Sequence, residues 1–94
     1  MENGSKIAQA CHACFEFAWQ HHDTTLEWMQ SSNTIVILET SQAKLAKTLV
    51  KSKELKIRHS IFVEPDLNDL MTAIVLEPGE LTKKLCRGFR LAGS

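Results

Sequence analysis

Three side chains that could carry chemistry lie close together in the stretch "SKIAQACHACFEFAW" (residues 5–19). Cys11, His12 and Cys14 suit a metal site, a redox pair, a catalytic residue or a packed helix. Redox cysteines usually stand at a helix N-terminus, where the dipole lowers the thiol pKa, but this C-x-x-C lies a turn or more inside the predicted helix. Zinc would need four ligands, and no second close pair exists. We therefore predict no metal site, expect both cysteines to be small core side chains, and keep His12 as catalytic or structural.

The composition is that of one small globular domain. The chain has 94 residues, of which 44% are hydrophobic. No apolar run approaches the ~18 residues of a membrane span, and the N-terminus lacks the layout of a signal peptide. Three cysteines, an odd number, disfavour a disulfide framework and suit a reducing compartment. We expect a cytoplasmic protein that does not enter a membrane.

The charges are segregated along the chain although their sum is zero. Residues 41–60 hold six cations and one acid, whereas residues 61–80 hold five acids and no cation. A second basic group lies within residues 83–90. Lys44, Lys47 and Lys51 follow i, i+3, i+7 spacing, which places them on one exposed helix face. This face is either a site for an anionic partner or a solvated surface.

The hydrophobic period alternates between helix and strand. A first helix, with Gly4-Ser5 as its start signal, precedes a shorter one after "HHDTT", and "TIVILE" (34–39) indicates a strand buried on both faces. Ser41 can cap a third helix, and a fourth begins near Pro78. Two further strands are predicted at "HSIFVE" (59–64) and "MTAIVLE" (71–77). The predicted inward residues of the first helix are Ile7, Cys11, Cys14, Phe15, Ala18 and His22; those of the third are Ala43, Ala46, Leu49 and Val50.

These elements predict an α/β fold, one domain over residues 1–94. About four helices flank a small mixed β-sheet with three visible strands. A strand–helix–strand unit with a dozen helical residues is usually a right-handed crossover, so the strands at 34–39 and 59–64 are expected to be parallel. The short 64–70 connection suits an antiparallel neighbour.

Several segments together resemble the type-2 peptidyl-tRNA hydrolase family. "KIAQACHA" (6–13) is similar to the signature of the family's first helix, and closest to the divergent peptidyl-tRNA hydrolase domain-containing proteins. The similarity continues through residues 34–64, "TAIVLEPGE" (72–80) and "LCRGFRL" (85–91), and so covers nearly the whole chain.

The resemblance implies a small α/β fold that hydrolyses the ester between a peptide and the 3′ end of tRNA, without a metal or other cofactor. The implied partner is peptidyl-tRNA or another tRNA. His12 and Gln9 match the family's histidine and glutamine, Glu64 falls at its loop aspartate, and Thr72 matches its threonine. Ester hydrolysis needs an activated water and charge stabilisation. Glu64 or His12 can orient the water, Lys6 can supply positive charge, and the basic face Lys44, Lys47 and Lys51 can hold phosphates.

Three departures from the family pattern shape the expectations. The family's active-site lysine aligns with Ser5, and Lys6 lies one position on, about 100° around the helix. The family's longer loop is shortened to "EPDLNDLM", and its N-terminal strand is absent before "MENGS". The missing lysine leaves an alternative function, a catalytically inactive tRNA- or protein-binding module of the same fold. The missing strand predicts an unpaired sheet edge at residues 34–39 and a homodimer through it.

Overall fold

The computed structural model describes residues 3–91, with side chains described from residue 7 onward except at position 66. It confirms an α/β fold with four helices. The elements are α1 (Asn3–Gln20), α2 (His22–Gln30), β1 (Leu38–Glu39), α3 (Gln42–Glu54), β2 (His59–Glu64), β3 (Leu70–Leu76), α4 (Glu80–Leu85) and β4 (Arg90–Leu91).

The strands form two separate antiparallel pairs within the described range. β2 pairs with β3, and β1 pairs with β4. The expected parallel crossover is therefore wrong, because β1 pairs with the end of the chain and not with β2. The antiparallel connection after β2 is confirmed. It contains a short 3₁₀ turn, and Asn68 and Asp69 reverse the chain with φ of 57° and 58°, a conformation that Asn and Asp tolerate well.

A β-bulge interrupts the β2–β3 pair beside the predicted site. Phe62 pairs with Ala73, but Val63 pairs with Met71, so Thr72 has no partner opposite it. Such an extra residue bends its strand and re-aims the side chain next to it.

The segment predicted as a full strand at 34–39 is a strand only at Leu38–Glu39. Ile35, Val36 and Ile37 precede it without regular pairing, and their side chains are exposed, not buried. The prediction failed because nothing within residues 3–91 covers the two apolar faces that the sequence provides.

α1 lies across β2 and β3 and turns a different face to them than the one predicted. Gln9, Ala13 and Phe17, spaced four apart, are buried, whereas Ile7 and Phe15 are exposed. Ala13 is fully buried, which indicates that the helix lies close to the sheet at this point. The small and amide side chains therefore face inward, and two of the large apolar ones face solvent.

α3 begins as predicted but is rotated about its axis. The Ser41 hydroxyl accepts a hydrogen bond from the Lys44 backbone N–H at 3.3 Å, so the predicted cap is confirmed. Thr48 and Ser52 are the buried residues, and their hydroxyls donate to carbonyls one turn earlier. Gln42 donates to the Met71 carbonyl of β3 at 2.8 Å. This contact and the packing on β3 leave the expected inward residues Ala43, Ala46 and Val50 exposed.

Candidate active site

A direct hydrogen bond joins two of the residues that the resemblance singles out. Gln9 Nε2, on the buried face of α1, donates to Glu64 Oε2, at the end of β2, over 3.2 Å. The amide must face Glu64 through its nitrogen, since a carboxylate only accepts. Packing α1 on β2 thus brings together residues that are 55 positions apart in sequence.

Two buried polar atoms at this site have no hydrogen-bond partner in the described part of the chain. They are the other amide atom of Gln9, Oε1, and the Thr72 hydroxyl at the β-bulge. The one further such atom belongs to Glu77, whose Oε2 lies 3.6 Å from Arg58 Nη1 in an ion pair. Buried polar atoms are rarely left without partners, and functional sites are one place where they occur.

His12 lies on the exposed side of α1, and its ring stacks on Phe62 of β2. The ring centroids are 5.0 Å apart and the planes differ by 13°. His12 is one turn along α1 from Gln9, and Phe62 pairs with Ala73, the chain neighbour of Thr72. The stack therefore holds the imidazole above the strand pair that carries Glu64 and Thr72.

Phe62 is a site residue that the sequence reading missed. It stands among the apolar residues of a strand, where an aromatic side chain indicates core packing. Its role as the surface under His12 depends on the placement of α1, which no local pattern encodes.

The predicted cationic residues fall into two groups. The side chains of Lys6 and Ser5 lie outside the described residues, so the charge near Gln9 stays a prediction. Lys44, Lys47 and Lys51 lie on the exposed side of α3, and Lys51 forms an ion pair with Glu54 at 3.4 Å. α3 packs on β3, the strand of Thr72.

The three cysteines are free thiols, and the expected core position of Cys11 is wrong. Cys11 is exposed, while Cys14 and Cys86 are half-buried. Burial raises the pKa of the Cys14 thiol, and the nearby Cys11 raises it further; burial also raises the pKa of Cys86. A raised pKa favours the unreactive thiol, the opposite of what a redox cysteine needs. Within residues 3–91, no three His, Cys, Asp or Glu side chains are grouped so that they could hold a metal ion.

These environments predict an order of alkylation by iodoacetamide at pH 8. Cys11 should react first, and Cys14 and Cys86 at least about ten-fold more slowly, since less thiolate and less access both slow them. Their rates should keep rising above pH 9, because the thiolate fraction grows until the raised pKa is passed. Peptide mass spectrometry over a time course measures each site, and the denatured chain is the control, where all three should react alike. Equal rates for Cys11 and Cys14 in the folded protein would contradict the assigned burial.

A shallow polar depression lies at the far end of α1 from Gln9. Its lining includes Trp19, His21, His22 and Arg58. The His21 ring is held by its Nε2 contact with the His59 carbonyl at 3.0 Å and lies 4.7 Å from the Phe17 ring. These contacts fasten the end of α1 to the start of β2, and so fix the helix that carries Gln9 and His12.

Comparison with protein families gives one match. The family model described as peptidyl-tRNA hydrolase PTH2 matches residues 1–91 of the chain. No curated protein sequence matches the chain. Among the described residues, none of the helices has both the length and the apolar character needed to cross a membrane.

Proposed function

We propose that this chain, which belongs to the peptidyl-tRNA hydrolase PTH2 family, hydrolyses the ester that joins a peptide to the 3′ end of tRNA. Family membership supports a peptidyl-tRNA hydrolase-like function in general. The assignment of the reaction to the site around Gln9 and Glu64 is our proposal.

The observation that carries the proposal is the unused hydrogen-bonding capacity at this site. Gln9 Oε1 and the Thr72 hydroxyl are buried without partners in the described residues, on two elements that the Gln9–Glu64 hydrogen bond joins. An unsatisfied buried polar atom costs about 1–3 kcal/mol, so a protein keeps it where a ligand supplies the missing partner.

The chemistry can be divided among the residues as follows. Glu64, oriented by Gln9, accepts a proton from the attacking water as its oxygen bonds to the ester carbonyl carbon. The Thr72 hydroxyl donates to the oxygen on which negative charge develops, and Lys6 adds positive charge. The ester C–O bond then breaks, and the ribose oxygen takes up the proton held by Glu64. The products are the free peptide acid and deacylated tRNA.

The test is release of an N-blocked aminoacyl group from tRNA by the purified protein. We expect release that is proportional to protein concentration and faster than the spontaneous hydrolysis measured in buffer. No release above the buffer rate, from protein that still binds tRNA, would contradict hydrolysis.

A second function is supported by one departure from the family. Ser5 stands where the family has its active-site lysine, and a member that lacks this charge can be a binding module without turnover. This alternative predicts tRNA or protein binding with no release in the same assay. Turnover, not binding, distinguishes the two.

The basic face of α3 gives a prediction for tRNA binding. Replacing Lys44, Lys47 and Lys51 together with glutamine should weaken binding and reduce the salt slope by up to ~3, about one per lost phosphate contact. Binding isotherms over a series of salt concentrations measure this slope. The matched control replaces Lys56, Lys83 and Lys84, which changes the charge equally; it should alter the slope less. If both variants change the slope alike, the effect is one of net charge and the α3 face has no special role.

A further inference from the structure

The chain exposes more surface than a folded monomer of its mass. Its accessible surface is 6866 Å², whereas a monomer of 10.6 kDa is expected to expose about 5,500 Å². The excess of about 1,400 Å² exceeds the ~800 Å² that each partner buries in a standard interface and falls in the range of permanent dimers. Large apolar side chains contribute to it, while the fully buried apolar residues among those described are Ala13, Phe17 and Ile57.

The segment Ile35–Ile37 is an apolar part of this surface whose backbone is also available. Ile35 and Val36 are each 61% exposed and Ile37 is 42% exposed. Their backbone groups make no hydrogen bond to another residue of 3–91. The segment leads directly into β1, which pairs with β4 along one edge and with no described residue along the other. Exposed apolar side chains beside unpaired backbone groups are what recruits a further strand.

We propose that a second copy of this chain pairs with this segment, strand 34–39 of one protomer against strand 34–39 of its partner. A two-fold axis through the pair makes the two strands antiparallel, the arrangement that a symmetric dimer requires. The two β1–β4 pairs then join into one four-stranded sheet. The area argument favours a second copy, because the excess surface matches what one protomer of a permanent dimer buries.

The sequence of the segment selects one register for the pair. With Val36 on the two-fold axis, Val36 faces its own copy and Ile35 faces Ile37 on both sides. Glu39 then lies opposite Asn33, so no like charges meet across the strands. Moving the axis to Ile35 places Ile37 opposite Asn33, and moving it to Ile37 places Ile35 opposite Glu39. Both shifts replace apolar pairs with mismatched ones.

The first experiment measures molecular mass by sedimentation over a concentration series. We expect wild type at twice the chain mass, with a thermal midpoint that rises with protein concentration. Val36→Lys, which brings two charges together at the axis, should weaken association by at least about 30-fold. Val50→Lys is the matched control, because Val50 is 56% exposed on α3, outside the segment, and it should leave the mass unchanged. A monomeric wild type with a concentration-independent midpoint overturns the proposal.

A second experiment does not depend on how well Val36→Lys folds. Under mild oxidation, V36C should form a disulfide with its own copy, because residues directly opposite in an antiparallel pair lie within disulfide range. V50C, of similar exposure, should not. Peptide mass spectrometry identifies the linked residues and separates them from the three native thiols. If V36C does not cross-link, or V50C does so equally, the segment is not the interface. Both experiments report association, so they stand or fall separately from hydrolysis.

Discussion

Glu64→Gln is expected to lower kcat/KM for release of an N-blocked aminoacyl group by about 10²–10⁴-fold, the usual contribution of a general base. Glutamine keeps an oxygen that can accept the Gln9 N–H, so the contact now at 3.2 Å can persist. What the substitution removes is the negative charge that takes the proton from water. The effect should therefore appear in kcat while tRNA binding is retained.

Glu16→Gln is the control for this variant. Glu16 is an exposed glutamate on α1 that accepts a hydrogen bond from Gln20 at 3.4 Å. The change in charge is identical, but the residue is remote from the Gln9–Glu64 pair, so we expect less than a two-fold change in rate. An unchanged rate in Glu64→Gln would remove Glu64 from the proton transfer. His12→Asn would then test the remaining candidate on the exposed side of the same helix.

The sequence could identify the chemical types at this site but not how they meet. The resemblance singled out Gln9, His12, Glu64 and Thr72, and the Gln9–Glu64 hydrogen bond depends on how α1 packs on β2. The β-bulge at Thr72 could not be predicted either, because it depends on the register of β3 against β2. The unpartnered hydroxyl that follows from this environment is a tertiary feature.

Local signals predicted the element types better than the buried faces. Ser41 caps α3 because its hydroxyl meets the Lys44 N–H within one turn, an interaction that the sequence alone encodes. Periodicity failed on α1, where it selected Phe15 and the structure buries Phe17. An exposed apolar residue costs little by itself, so the apolar stripe does not decide which side faces the sheet. The fully buried Ala13 lies where helix and sheet are in close contact.

Phe17→Ala should produce the largest loss of stability of any single substitution considered. Phe17 is 7% exposed and is the largest of the three fully buried apolar side chains in the described range. Removing a buried phenylalanine ring costs about 3–5 kcal/mol in lost transfer energy and residual cavity. A chain of this length has a total stability of only about 5–14 kcal/mol, so a large fraction should be lost.

Urea denaturation at one fixed protein concentration measures this loss as a lower midpoint with an unchanged slope. Phe15→Ala is the matched control, the same substitution two residues earlier on the same helix, where the ring is 74% exposed. It should change the free energy of unfolding by no more than about 0.5 kcal/mol, as surface substitutions usually do. The reverse order of effects would mean that α1 buries its Phe15 side, the face that the hydrophobic period predicts. Gln9 would then turn away from Glu64, because Gln9 and Phe17 share one side of the helix.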